Sequence, residues 1–136
     1  MQANGLSPER LREHIVAVRA AAARHPAMQV LVGSEVDILT DGRLDYEDEL
    51  LGELDIVVAS PHASLRQESA VAMKRLLKAI EHPAVRILGH PTGRIINGRP
   101  GLEIDIRELV AAAREHDVAL EINANPLRLD LRDAHV

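Results

Sequence analysis

The chain has 136 residues, 46% of them hydrophobic but only 1% aromatic, with no cysteine and a formal net charge of −5 at pH 7. That length suits one domain, whose core must be built from Leu, Val, Ile and Ala, with Tyr46 the sole ring outside histidine. The lack of cysteine excludes disulfides and thiolate metal sites, and an acidic balance without aromatic platforms gives no reason of its own to expect nucleic acid.

Ser7-Pro8-Glu9 offers an N-cap, a proline at the first helical position and an acid in the first turn, predicting a helix to about Arg24 that His25-Pro26 stops. The β-branched apolar run 29–33 reads as a strand buried on both faces. Asp41-Gly42 supplies a turn, and residues 45–54 a short helix with Leu50, Leu51 and Leu54 on one side. The grammar then repeats: strand 55–59, helix 67–81 with Val71, Leu76, Leu77 and Ile80 as its apolar stripe, strand 85–88, a Gly/Pro-rich loop, helix 104–116 and strand 118–122. This is α/β alternation, with about four parallel strands and crossover helices. No apolar run reaches the roughly 18 residues of a membrane span and the N-terminus lacks the apolar stretch of a signal peptide, so a cytoplasmic location is expected.

Parallel α/β folds bind ligands at the carboxyl ends of their strands. Glu35, His62 and His90 follow three successive strands, with 27 residues from the first to the second and 28 from the second to the third, the length of one βα unit. One carboxylate and two imidazoles suit Zn²⁺, Mn²⁺ or Fe²⁺ better than Ca²⁺ or Mg²⁺. Such an ion would serve hydrolytic chemistry. The bland alternative is that each histidine is a loop residue bonded to backbone, and spacing alone leaves the two open. Asp37 is expected either to orient an imidazole or to cap a turn, and Arg94 either to clamp a phosphate or to pair with a surface acid. Asn123 and Asn125 either orient water or substrate or satisfy the backbone of the Asn-Pro turn. His14, His25, His82 and His116, on helix bodies or ends, are assigned structural or solvent roles.

The strings Gly33-Ser34-Glu35-Val36-Asp37, Ser60-Pro61-His62-Ala63-Ser64, Gly89-His90-Pro91-Thr92-Gly93-Arg94 and Glu121-Ile122-Asn123-Ala124-Asn125-Pro126, in that order, resemble the PHP (polymerase and histidinol phosphatase) domain, most strongly the C-terminal PHP domain of bacterial family X DNA polymerases. The resemblance runs from Gly5 to Asp133. It implies a distorted seven-stranded βα barrel with a cluster of three metal ions, commonly Mn²⁺ or Zn²⁺, and phosphoester hydrolysis that in the polymerases takes the form of 3′–5′ exonuclease and end-processing activity in DNA repair. Glu35, His62 and His90 then match ligand positions. The family's opening His-x-His strand, its next Asp/His segment and its closing Asp-x-His strand have no counterpart here. Asp133-Ala134-His135 imitates the last only in letters.

Residues 1–136 therefore read as one partial PHP-like domain, a partial βα barrel that a fragment, an abbreviated gene or a degenerate homologue would each produce. The expected function is a metal-dependent phosphoesterase module acting on DNA 3′ ends, impaired by the missing ligand motifs. The alternatives are a small-molecule phosphatase of the histidinol-phosphatase type and a non-catalytic assembly or scaffold module. Four strands of an unclosed barrel leave edges and an apolar face unpaired, so the chain is expected to form a homo-oligomer or to need flanking segments.

Overall fold

The computed structural model describes residues 5–136. In chain order the elements are α1 (Pro8–Ala23), β1 (Gly33–Asp37), α2 (Asp48–Leu51), β2 (Ile56–Ser60), α3 (Ser69–Ile80), β3 (Val85–Leu88), α4 (Ile106–Glu115) and β4 (Ala119–Leu120), followed by a 3₁₀ turn at Asp133–His135. The four strands form one sheet in the order β1-β2-β3-β4, each pair parallel. With α2, α3 and α4 as crossovers, the architecture is α/β and has the form of a partial βα barrel. None of the helices among the described residues is long and apolar enough to cross a membrane.

Local chemistry sets the element ends. The Ser7 side chain accepts from the Arg10 N–H and Pro8 opens α1, while the Asp105 side chain accepts from the Arg107 and Glu108 N–H groups at the start of α4. α1 is tied down by Arg19, whose guanidinium reaches both oxygens of Asp55 at 2.6 and 2.8 Å. Arg19 foremost holds the Asp55 carboxyl below the usual carboxylate range, and the Val32 N–H, donating at 2.7 Å, adds to it.

Strand alternation divides the sheet into two unlike faces. Val36, Val57, Ala59, Val85 and Leu88 join one buried cluster with Leu51 of α2, Leu76 and Ile80 of α3, and Leu109 of α4. Leu11 and Ile15 of α1 make a second cluster with Val32 and Leu50. Glu35, Asp37, Val58 and Ile87 alternate to the opposite face, where none is fully buried.

Several boundaries depart from the sequence expectation. The first strand is not 29–33 but Gly33–Asp37, and Leu31 stands 49% exposed. The reason is position: β1 is an edge strand, and Val32 is held at the start of β2, its carbonyl accepting from the Asp55 N–H at 2.8 Å and the Ile56 N–H at 3.3 Å, without a ladder partner of its own. The helix expected over 45–54 shortens to Asp48–Leu51, and the strand expected over 118–122 to Ala119–Leu120. On α3, Val71 is half-exposed, while Arg75 is buried.

That arginine has a specific task. At 2% exposure it donates to the Ile38 carbonyl, to the Ala63 carbonyl at 2.8 Å and to Gln67 Oε1 at 3.2 Å. Burial lowers its pKa, with Asp37 opposing. Gly42, at φ +84°, lets the turn after β1 lie against this helix, since a Cβ there would sit 2.9 Å from the Arg75 carbonyl oxygen. Replacing Arg75 by Met keeps most of the buried volume but strands the carbonyls, so it should cost about 2–4 kcal/mol. Urea unfolding followed by circular dichroism measures this, and a loss below roughly 0.5 kcal/mol would show that the carbonyls find other donors.

Candidate metal centre

β2 and β3 each release the chain two residues before a histidine, His62 and His90, while Glu35 is the third residue of β1 itself. Glu35 thus lies within a strand rather than beyond it, and it reaches the histidines because it faces the sheet side that no core cluster covers. His62 Nε2 and His90 Nε2 are 3.1 Å apart, and Glu35 Oε1 lies 3.4 Å from the first and 3.7 Å from the second. A triangle of those sides has a circumradius of about 2.0 Å, the bond length of a divalent ion to imidazole nitrogen or carboxylate oxygen. These three donor atoms are the ones among the described residues that could hold one ion.

The outer nitrogen of each ring is held by a carboxylate. His62 Nδ1–H donates to Asp37 Oδ1 in a short hydrogen bond. His90 Nδ1 faces Glu121 Oε2 at 3.3 Å, and the same oxygen accepts the His90 backbone N–H. Asn123 Nδ2–H in turn donates to Glu121 Oε1 at 3.0 Å. A carboxylate at Nδ1 keeps the proton there and turns the Nε2 lone pair inward. Two lone pairs and a carboxylate oxygen then crowd one point, which is unfavourable unless they share a cation. A proton on His90 is disfavoured. Burial foremost, then the Arg128 charge, lower the His90 pKa against the pull of Glu35 and Glu121.

Close backbone approach makes this possible. A Cβ at Gly89 would lie 2.3 Å from Ser60 Oγ, so only glycine lets the chain leave β3 tight against β2, and His90 follows at φ +23°.

The remaining expected residues divide. Asn123 positions Glu121, whereas Asn125 Oδ1 accepts from the Leu127 N–H at 2.9 Å, a turn role. Arg94 Nε–H donates to the Arg128 carbonyl at 2.6 Å, and its side chain lines a separate cavity together with His135. His14, His25 and His116 are exposed, and His82 faces Asp48 at 3.3 Å. Sequence reasoning passed over Glu121 and Arg128. Glu121 had a signal, an acid just past a strand and facing the same rim as Glu35. Arg128, in the loop after the Asn-Pro turn, had none, yet its buried Nη1 has no hydrogen-bond partner among the described residues.

The depressed His90 pKa has a sign that can be tested. The unfolded chain takes up a proton near pH 6.5 that the native chain refuses, so the associated stability is present above that pH and is lost as pH falls. Urea midpoints in EDTA should drop between pH 8 and pH 5.5, less steeply for His90→Gln. Equal slopes would acquit this imidazole.

Comparison with known proteins finds sequence relatives of two kinds. No protein-family model matches the chain. It is 50% identical over 134 residues to the DNA polymerase/3′-5′ exonuclease PolX of Bacillus subtilis, an alignment covering 98% of this chain and 24% of that protein. It is 37% identical over 100 residues to a probable phosphatase of Caldanaerobacter subterraneus, covering 71% of this chain and 37% of the other. A probable phosphatase of Shewanella sp. (strain ANA-3) is 34% identical over 113 residues, covering 81% and 42%. The chain thus spans about a quarter of the polymerase and about two-fifths of each phosphatase. Sharing half its residues with a stretch of PolX along nearly its whole length, on a parallel βα sheet, the chain is similar to part of the polymerase and part of each phosphatase, which is consistent with a PHP-like domain.

Proposed function

We propose that residues 1–136 form one partial PHP-like domain working in the cytoplasm as a metal-dependent phosphoesterase module, with Glu35, His62 and His90 holding a divalent cation. Mn²⁺ and Zn²⁺ are the preferred ions and Fe²⁺ is compatible, because two imidazoles and one carboxylate form a mixed N/O donor set. The observation that carries this reading is the convergence of three donor atoms around one point, with a carboxylate facing the Nδ1 of each imidazole. When bound, such an ion supplies Lewis acidity toward a phosphoryl oxygen and lowers the pKa of water. The chain's own residues do the rest. Asp37 and Glu121 hold the imidazoles in one tautomer and orientation, and Asn123 holds Glu121.

Arg128 is proposed as the phosphate partner beside the site. Its charge bears on both His90 and Arg99, and its Nη1 lacks a protein acceptor among the described residues. A phosphate oxygen would satisfy it.

A DNA 3′ end is the preferred substrate. The relative of highest identity given above is named a 3′-5′ exonuclease, and Glu35, its side chain 51% exposed, leaves the rim open enough for a strand end to approach. A phosphorylated small molecule is the second reading, favoured by the relatives named probable phosphatases.

Calorimetric titration with Mn²⁺ or Zn²⁺ tests the centre. His62→Ala and His90→Ala should abolish measurable binding, and Asp37→Asn should weaken it about 10- to 100-fold. Unchanged affinity in His90→Ala would reject the centre. Hydrolysis of a 3′-labelled single-stranded oligonucleotide, compared with p-nitrophenyl phosphate, separates the two substrate readings.

Self-association is proposed as well, since β1 and β4 are sheet edges and Ile122, Leu127 and Leu129 are exposed. Light scattering at tens of micromolar should give a mass above the 14.9 kDa of one chain. A monodisperse monomer would refute this.

A further inference from the structure

Behind the loop that follows His90 lies a second cavity, of about 420 Å³, with Thr92, Arg94, Glu103, Arg132 and His135 in its walls. Its polar groups are mostly hydrogen-bond donors, with Glu103 as the one carboxylate in the walls. Arg132 Nε–H donates to His135 Nε2 at 3.0 Å. A guanidinium has no acceptor, so Nε2 must present its lone pair and the neutral ring must carry its proton on Nδ1. That Nδ1 is buried and has no hydrogen-bond partner among the described residues.

Arg94 is fixed from behind, its Nε–H bonded to the Arg128 carbonyl at 2.6 Å, which commits the plane of its guanidinium. Asp130, two residues before Arg132, accepts from both the N–H and the hydroxyl of Thr92, and Asp133 follows Arg132 as an exposed acid. Exposed Glu103 makes no ion pair with either arginine among the described residues. The cavity therefore gathers two guanidinium groups and an imidazole with an unpartnered nitrogen, against the single exposed carboxylate of Glu103. The pKa of His135 is lowered first by burial and then by Arg132, with Arg94 adding to it and Asp130 and Asp133 opposing.

We propose that this cavity is an anion site that takes a phosphate group, with Arg94 and Arg132 as its charge partners and His135 Nδ1–H as a third donor. Arginine suits the purpose because its planar fork matches phosphate oxygens in pairs. The site is separate from the Glu35, His62 and His90 centre and does not depend on a metal there. The phosphate could be free or part of a nucleotide, and the two sources differ only in what is attached to the group.

The test uses the full chain labelled with ¹⁵N, in EDTA so that the metal centre plays no part. Inorganic phosphate is titrated while the His135 imidazole and arginine Nε signals are followed, and a second arm uses a 5′-phosphorylated thymidine dinucleotide. Saturable shifts at His135 are expected, with its titration midpoint moving to higher pH when phosphate is bound. Arg132→Gln should weaken binding about tenfold or more at an unchanged thermal midpoint. His135→Ala, read at the arginine signals, should weaken it as well and provides the check should Arg132→Gln alter folding. Tighter binding of the dinucleotide, lost in the same variants, assigns the occupant to a nucleic-acid phosphate, and equal binding assigns it to the phosphate group alone. The proposal is overturned if the His135 signals do not saturate in either arm, or if both variants bind as the unaltered chain does.

Discussion

Arg75 sits in the middle of α3 with its guanidinium inserted between two loops, donating to Ile38 just past Asp37 and to Ala63 just past His62. Removing a cation from water is costly, and only hydrogen bonds to fixed acceptors offset that cost. Besides Gln67 Oε1 the acceptors are two backbone carbonyls, so the compensation requires those two loops to stand in one arrangement. That arrangement brings Asp37 onto His62 Nδ1 and sends Nε2 toward Glu35. The rim geometry is thus supported from the helix layer beneath the sheet.

The unequal faces of the sheet complete the device. Apolar side chains at alternate strand positions bind the helices, which leaves the intervening positions free of packing duties. Glu35 and Asp37 occupy two of them on β1, and Glu121 follows β4. Three acids and two imidazoles meet where burial is partial. Glu35, its side chain half-exposed, stays open to solvent, while buried His90 is dry enough to resist protonation.

The parallel α/β alternation was legible because each strand is a short apolar run and each helix has a readable start, Ser7-Pro8 for α1 and Asp105 for α4. The convergence of Glu35, His62 and His90 was legible from the repeat length of one βα unit. Less legible were features decided by tertiary contact. The apolar run 29–33 promised a strand, yet pairing began only at Gly33, because an edge strand has one partner to set its register. Arg75 occupies a core position that periodicity reserves for an apolar residue, and no local pattern reveals that two loop carbonyls await it. Glu121 and Arg128 act on His90 from 31 and 38 positions away in sequence, a proximity created by the sheet and by the loop after β4.

The brevity of β4 has a dynamic consequence. Only Ala119 and Leu120 are paired as strand, and Glu121 N–H extends the ladder by a single bond to Leu88. Short edge segments open at a small fraction of the global free energy. Each such opening would carry Glu121 away from both His90 contacts at once, so the ring's orientation is gated by fluctuation of the sheet margin. A ligand recognising only the closed arrangement would slow amide exchange from Glu121 to Asp130, binding at one place and damping motion at another.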